Sequence, residues 1–187
     1  GGQFYGQAKA ADLGVELVPS AAKELARAGS VLRTVAQQKF PVQHPLNPDI
    51  DHVALTMIHG PSPTPGLSGR NTVVLPNGTV DLDDPTTWTG TLDRSPCGTG
   101  TCARMAARHA RGEQAIGQDF VHEGLLGTTF TGRLSEETQI GSYRAVLPSL
   151  SGRGWITGFN TYVLAEDDPF PRGYTVADLW GPEPAGQ

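Results

Sequence analysis

The hydrophobic positions along this chain form many short runs and few long ones. A helix is predicted after Pro19-Ser20, because apolar residues recur there at helical spacing: Leu25, Ala28, Val31, Leu32 and Val35. Elsewhere the apolar runs are bounded by Gly, Pro or Asn, as is typical of strands. Strands are predicted in GGQFYGQA, HVALTMIHG, DFVHEGLLGTTFTGRL, YRAVLPSL and GWITGFNTYVLA, and a hairpin in NTVVLPNGTVDL around Asn77-Gly78.

A second helix is predicted from about Thr99 to Arg111, where Gly112 would end it. Two sets of side chains are expected on different sides of this helix. The apolar face would hold Cys102, Met105, Ala106 and His109, with Arg104, Arg108 and Arg111 elsewhere. Many strands, one early helix and one central helix predict an α+β domain.

Composition narrows the classes of function. The 24 Gly and 15 Pro residues favour turns and short strands. The net charge of −5, without a basic run, argues against nucleic acid or an anionic membrane as a partner. The apolar runs are too short to span a bilayer, and no secretory or transit segment is visible. The two cysteines, separated by four residues, are not expected to pair, so a reducing cytoplasmic location is predicted.

The stretch LDRSPCGTGTCARMAARHARG supports two hypotheses. Residues 98–103 (GTGTCA) fit the spacing G-x-G-x-x-A of a dinucleotide-binding loop. That motif requires an apolar strand directly before the first glycine, whereas the preceding residues here are polar and include Pro96. Asp119 lies where a ribose-binding acid would fall, but it precedes an apolar strand instead of ending one. The context therefore argues against dinucleotide binding.

The second hypothesis is a carboxylate site beside a reactive thiol. The first N–H groups of a helix lack intrahelical partners, so they can bind a carboxylate and stabilise a thiolate at Cys97. Asp93, four residues earlier, could bind a substrate ammonium. This combination suits an α-amino acid whose Cα proton is moved. The structural alternatives are a small buried Cys97 beside a helix cap, a buried Cys102 and a turn residue at Asp93.

The motif DRSPCGTGT closely resembles the proline racemase family, which includes proline racemases, 4-hydroxyproline 2-epimerases and trans-3-hydroxyproline dehydratases. The segments LRTVAQQKFPVQHP, DFVHEGLLGTTFTGR and WITGFNTYVLAEDDPF also resemble the family. The segment GGQFY is similar to the family's GGNF, with Gln3 where Asn is usual. The resemblance covers nearly the whole chain.

The resemblance implies roles for four residues and a fold. Cys97 would be one of two catalytic thiols, Asp93 would contact the substrate amine, and Gly98 and Thr99 would bind the carboxylate through their backbone amides. The implied fold is diaminopimelate-epimerase-like. It has two similar domains, each a curved, mostly antiparallel sheet around a central helix, with the active site between them. Residues 1–187 would be the second (C-terminal) domain, with a last strand that can return to the missing first domain.

A two-thiol mechanism needs groups on opposite faces of Cα. The family's other cysteine lies in a CGHG-like motif that this sequence lacks, and Cys102 would project from the same helix as Cys97. We therefore expect the chain to need a first-half domain and to be inactive alone. The expected function is cofactor-independent racemisation or epimerisation at Cα of proline or 4-hydroxyproline, with a homodimer as one assembly. The alternatives are a trans-3-hydroxyproline dehydratase, a type that usually has Thr in place of Cys97, and a non-catalytic imino-acid-binding half-protein.

Three further side chains are weaker candidates. Trp88 could form a pocket wall and His59 could bond a ring hydroxyl, although packing and exposure are the structural alternatives; His44, beside Pro45, is expected to be structural. No cofactor is expected, because none of the three lysines lies in a context typical of a pyridoxal Schiff base. No metal-ligand spacing is present in the sequence. The expected partner is a small-molecule substrate.

Overall fold

Seven strands of the chain form one curled mixed sheet in the computed structural model, which describes residues 2–171 and Gly173. The strand order is β1-β2-β3-β5-β6-β7, and the short β4 also pairs with β3. Only the β1–β2 and β3–β5 pairs are parallel among the described strands. The strands are β1 Phe4–Lys9, β2 Val53–Gly60, β3 Gly69–Pro76, β4 Gly90–Leu92, β5 Asp119–Glu123, β6 Thr129–Ile140 and β7 Tyr143–Ser151; the helices are α1 Ala22–Lys39 and α2 Gly98–Ala110.

Helix α1 covers one face of the sheet. A single 3₁₀ turn with Pro19 at its start leads into the helix. Leu25 of the helix packs with Ile58 and Val74 of the sheet, and all three side chains are fully buried. Gly29 allows this close approach, because a Cβ there would lie 2.3 Å from Val74 Cγ2. We call this side of the sheet the α1 face.

Helix α2 covers the opposite face, since adjacent strand residues point to opposite sides. Met57 and Val73, the neighbours of Ile58 and Val74 in sequence, pack against Cys97 at the start of α2. Further along the helix, Met105 packs with Phe120 of β5 and Leu134 of β6. We call this side the α2 face.

Most of the predicted elements are confirmed. Both helices form, and strands lie in the segments GGQFYGQA, HVALTMIHG, DFVHEGLLGTTFTGRL and YRAVLPSL. The hairpin predicted in NTVVLPNGTVDL is wrong, because β3 ends at Pro76 and its next antiparallel partner begins at Gly90. The intervening residues form a loop, in which Asp84 caps a 3₁₀ turn and the Trp88 indole N–H donates to the Asp81 carbonyl at 2.8 Å.

The expected faces of α2 need one correction. Arg104 was expected away from the buried face, but only 9% of it is exposed, and Gly100, Thr101 and Met105 are buried with it. One guanidinium nitrogen of Arg104, Nη1, is buried without a hydrogen-bond partner in the described part of the chain. The curled sheet therefore covers more of the helix circumference than the apolar stripe alone predicts.

The strand predicted in GWITGFNTYVLA is wrong for this structure. Residues 152–165 have no regular secondary structure. Their large apolar side chains face solvent, and Phe159 is 92% exposed. A strand needs a paired neighbour, and no described strand pairs with this segment.

Among the described residues, no helix is long and apolar enough to cross a membrane.

Candidate active site

Helix α2 begins at a strained residue. Cys97 has φ +66° and is the only non-glycine with positive φ among residues 2–171 and 173. Its carbonyl accepts the first hydrogen bond of the helix, from Thr101 N–H at 3.0 Å. Within the described residues no side chain caps the helix, so the N–H groups of Gly98, Thr99 and Gly100 have neither an intrahelical nor a capping partner there. Strain of this kind persists only where the surroundings fix the backbone.

The turn before Cys97 supplies that support. One carboxylate oxygen of Asp93, Oδ1, accepts hydrogen bonds from the Ser95 N–H at 2.8 Å and the Ser95 hydroxyl at 2.9 Å. The same hydroxyl oxygen accepts from the Cys97 N–H at 3.0 Å. The Asn71 amide donates to the Pro96 carbonyl at 3.0 Å. Asp93 is thus linked to the Cys97 backbone through a single serine.

Tyr5 of β1 completes a group around the thiol. Its hydroxyl oxygen Oη lies 2.6 Å from Thr99 Oγ1 and 3.5 Å from Cys97 Sγ. Burial and the neighbouring Cys97 raise the pKa of Tyr5 above its usual value, and Asp93 contributes in the same direction. The phenol therefore stays protonated. Cys97 itself is only 7% exposed.

Asp93, Cys97 and Thr99 are therefore brought together, and Tyr5 is the member that sequence reasoning missed. It belongs to GGQFY, a segment noted only for its strand and its family resemblance. The parallel β1–β2 pairing, which places Tyr5 beside Leu55, carries its ring to the start of α2. No local pattern in the sequence predicts that pairing.

Gly98 and Gly100, which follow Cys97, have different neighbours. A Cβ at Gly100 would lie 2.8 Å from Met57 Cε and 3.1 Å from Cys97 Sγ, so Gly100 lets the helix pack closely on β2. A Cβ at Gly98 would meet Leu150 of β7 at 3.6 Å, an ordinary contact distance. Gly98 thus lies near the wall that β7 forms beside the helix start.

Cys102 lies in a different environment from Cys97. It is half-buried, it packs against the cluster of Met105, Phe120 and Leu134, and neither cysteine forms a disulfide. Burial raises the pKa of the Cys102 thiol, which keeps this thiol neutral and unreactive. The surroundings agree with the structural interpretation of Cys102.

The structure does not bring Trp88 to this group. The Trp88 ring lies on the α1 face, where the Arg27 guanidinium stacks 5.4 Å from its centroid. Because Cys97 lies on the α2 face, the pocket-wall interpretation of Trp88 is wrong for this chain.

The two remaining candidates are both histidines, and their described contacts do not include Cys97. His59 pairs with Lys9, at the opposite end of β1 from Tyr5. Burial and then the nearby Arg104 lower the pKa of His59 to about 4, so this buried ring is neutral. The His44 ring accepts a hydrogen bond from the Leu46 N–H at 3.2 Å, in agreement with its expected structural role.

A buried polar group extends along the α2 face. The His122 imidazole Nδ1 lies 3.5 Å from Thr101 Oγ1, and its ring centroid lies 4.8 Å from that of Phe120. Burial, followed by the charge of Arg104, lowers the pKa of His122 to about 4. Within the described residues, no group of three or more His, Cys, Asp or Glu side chains could hold a metal ion.

Known proteins match this chain over nearly its whole length. The family model for proline racemase matches residues 1–175. A proline racemase of Clostridioides difficile is 37% identical over 174 residues, which are 93% of this chain and 48% of that protein. A proline racemase of Acetoanaerobium sticklandii is 36% identical over 176 residues, 94% of this chain and 49% of that protein.

Solved structures give the same picture. A crystal structure of a hydroxyproline epimerase from Agrobacterium vitis, with bound trans-4-hydroxy-L-proline, matches with a TM-score of 0.74 and 33% identity; the match covers 97% of this chain and 48% of that one. A probable proline racemase from Agrobacterium radiobacter, with bound carbonate, matches with a TM-score of 0.74 and 31% identity, over 97% and 49% of the two chains. The chain thus spans about half the length of the relatives that it matches.

Proposed function

The chain belongs to the proline racemase family, and from this premise we propose that it supplies one half of a cofactor-independent racemase or epimerase. The substrate would be proline or 4-hydroxyproline, and the reaction would exchange the proton on Cα. In each substrate, Cα carries a carboxylate, a secondary amine and the acidic proton. The proposal therefore needs one group for each of these three parts.

The observation that carries the proposal is the group of side chains and free amides around Cys97. The uncapped N–H groups of Gly98 and Thr99 would bind the substrate carboxylate, helped by the positive end of the helix dipole. Asp93 would accept a hydrogen bond from the substrate ammonium. Both hydrogen bonds from Ser95 use Oδ1 of this carboxylate, which leaves Oδ2 for the ammonium. The Cys97 thiol would then lie beside Cα as the acid–base group.

The proposed reaction balances with two thiols. The Cys97 thiolate takes the Cα proton and becomes a thiol, while the electron pair stays on the substrate as a carbanion next to the carboxylate. A second thiol on the opposite face returns a proton to Cα and becomes a thiolate. Cys102 packs within the helix face away from Cys97, so we assign the second thiol to a first-half domain outside this chain.

The exposed apolar segment supports a missing partner domain. Trp155, Phe159, Tyr162 and Leu164 are all exposed, and they would be covered by a first-half domain to which this segment returns. We also propose that the fold is diaminopimelate-epimerase-like, with α2 as the central helix of this half. A cytoplasmic location and a homodimer of the completed protein belong to the same proposal, and the solution mass of the complex tests the dimer.

The test measures exchange of the Cα proton in D₂O for L-proline and for trans-4-hydroxy-L-proline. The chain is assayed alone and together with a first-half domain that carries a CGHG-like cysteine motif. We expect no exchange from the chain alone, exchange with epimer formation from the pair, and loss of both in the Cys97→Ser pair. Cys102→Ser is the matched control and should retain activity.

Other outcomes separate the alternatives. Exchange that persists in the Cys97→Ser pair would overturn the assignment of the thiol. Release of a pyrroline carboxylate from trans-3-hydroxyproline, without epimers, would identify a dehydratase instead. Binding of pyrrole-2-carboxylate, a planar mimic of the carbanion, without any turnover by the pair would identify a non-catalytic imino-acid-binding protein.

A further inference from the structure

We propose that Tyr5 is a positioning residue for the Cys97 thiol, and that the Tyr5–Thr99 hydroxyl pair hydrogen-bonds the sulfur in both of its protonation states. The inference rests on the proposed function for its use in catalysis. The hydrogen bonding itself can be tested without any turnover.

Three distances define the arrangement. Tyr5 Oη lies 2.6 Å from Thr99 Oγ1 and 3.5 Å from Cys97 Sγ, while Sγ and Thr99 Oγ1 are 4.0 Å apart. The 2.6 Å separation is that of a short hydroxyl–hydroxyl hydrogen bond. Tyr5 therefore lies between Thr99 and the sulfur and connects them into one chain of hydrogen bonds.

The elements around the thiol fix Tyr5 in this place. The Tyr5 ring packs with Leu55, Met57 and Val73 on the α2 face. Thr99 is in the first turn of α2, so the helix start fixes the position of its Cβ, and its hydroxyl is 2.6 Å from the phenol oxygen. The position of the phenol is thus set by the sheet and its orientation by the helix.

The hydroxyl pair can serve both states because each hydroxyl has one proton and can also accept one. A Cys97 thiolate only accepts, so Tyr5 donates to the sulfur and Thr99 donates to Tyr5. A Cys97 thiol can donate to Tyr5 Oη, and Tyr5 then donates to Thr99. The proton on the sulfur is the one that is exchanged with the substrate; the two hydroxyl protons stay on their oxygens and only change direction. A residue that acts alternately as base and acid needs an environment of this kind.

The electrostatic environment keeps Tyr5 in the donor role. Burial, Cys97 and Asp93 all raise its pKa, so the phenol does not compete with the thiol as a base. The titratable groups that influence the thiol region are Tyr5 itself, Asp93 and Cys102. Of these, Tyr5 has a side chain within hydrogen-bonding distance of Sγ.

The test measures the rate of Cys97 alkylation by iodoacetamide as a function of pH, in a Cys102→Ala background that leaves one thiol. Tyr5→Phe keeps the ring but removes the donor. Because a hydrogen bond to a charged sulfur favours the thiolate, we expect the midpoint of the profile to rise by about one pH unit, or about tenfold slower alkylation below the midpoint. Thr99→Val, which removes the partner of Tyr5, should give a smaller shift in the same direction.

Tyr143→Phe is the matched control, because Tyr143 is an exposed tyrosine on β7. Its profile should superimpose on that of the parent. Circular dichroism checks that each variant folds, and ultraviolet titration of the thiolate gives the same midpoint if the reagent reacts too slowly. If Tyr5→Phe does not fold, the shift in Thr99→Val decides by the same criterion.

An unchanged midpoint in Tyr5→Phe, or an equal shift in Tyr143→Phe, would overturn the inference. The result is independent of the proposed function. A shifted profile in a chain that never supports proton exchange would leave Tyr5 as a positioning residue and remove the racemase proposal. Exchange activity together with an unchanged alkylation profile in Tyr5→Phe would keep the racemase proposal and remove the positioning role of Tyr5.

Discussion

The two faces of the sheet differ in how their buried polar side chains are paired. On the α1 face, the buried ion pair joins Arg70 Nε to Glu123 Oε1 at 3.0 Å, and the buried hydroxyls of Ser30 and Thr56 donate to backbone carbonyls. On the α2 face, Arg104 and His122 are buried without a carboxylate partner among the described ion pairs, and Cys97 is strained. The buried ion pair and the strained residue therefore lie on opposite sides of one sheet.

The largest effect should come from filling space on the α1 face. Gly29→Ala would place a Cβ 2.3 Å from Val74 Cγ2, where both helix and strand backbones resist movement. We expect a loss of about 3 kcal/mol in the free energy of unfolding, measured by urea denaturation, despite the better helix propensity of Ala. Gly154→Ala, with no atom within 4 Å of its Cβ, is the control. Similar stability of the two variants would contradict the close packing of this face.

The next effect is a pH dependence that belongs to the α2 face. His122 has a pKa of about 4 in the folded chain, against 6.5 as its ordinary value. Because the unfolded chain binds more protons in this range, stability is fully present above pH 6.5 and falls as the pH approaches 4. From this residue we expect a loss of roughly 1–2 kcal/mol between pH 6.5 and pH 5.

Denaturation at several pH values measures this dependence. His122→Asn should reduce the slope, and part of the slope should remain because burial lowers the pKa of His59 as well. Equal slopes in the parent and in His122→Asn would mean that the buried imidazole is not kept neutral.

A smaller effect is expected from filling space on the α2 face. Gly100→Ala would bring a Cβ to 2.8 Å from Met57 Cε, the end of a flexible side chain that can move aside. We expect a loss of about 1 kcal/mol, less than for Gly29→Ala, because Met adapts to irregular space. The same Cβ lies 3.1 Å from Cys97 Sγ, so the rate of Cys97 alkylation should change as well. A stability loss with an unchanged alkylation rate would separate this glycine from the thiol.

The smallest effect is expected outside both helix–sheet contacts. Trp88→Ala removes a half-exposed cation–π contact with Arg27, worth about 0.5–1 kcal/mol, together with the exposed hydrogen bond from the indole N–H to the Asp81 carbonyl. We expect that small loss in thermal unfolding and no change in the alkylation of Cys97. A change in alkylation would return Trp88 to the candidate site and would weaken the separation of the two faces.

The sequence predicts those parts of the fold that depend on local patterns. The apolar spacing around Leu25 predicts α1, and the sequence DRSPCGTGT correctly predicts that Asp93, Cys97 and Thr99 lie together at a helix start. Tyr5 could not be predicted, because its position depends on the pairing of β1 with β2, and the thiol that it contacts lies 92 residues away in sequence.

Two further errors have physical causes. Asn77-Gly78 forms a bend without a tight hairpin, and the loop that follows is held by hydrogen bonds to Asp81 and Asp84. The sequence GWITGFNTYVLA has strand character, but strand formation also needs a neighbouring edge. Sequence patterns report what a segment can form, and tertiary partners decide whether it does.

That exposed segment has a consequence for how the polypeptide fares during its synthesis. In the described part of the chain, six large apolar side chains within ten residues are exposed to solvent: Trp155, Ile156, Phe159, Tyr162, Val163 and Leu164. A strip of this composition attracts chaperones and proteases and drives aggregation when it stays uncovered. The amount of this chain that survives in a cell is therefore governed by how quickly the strip is covered, so quality control would link its abundance to that of whatever covers it.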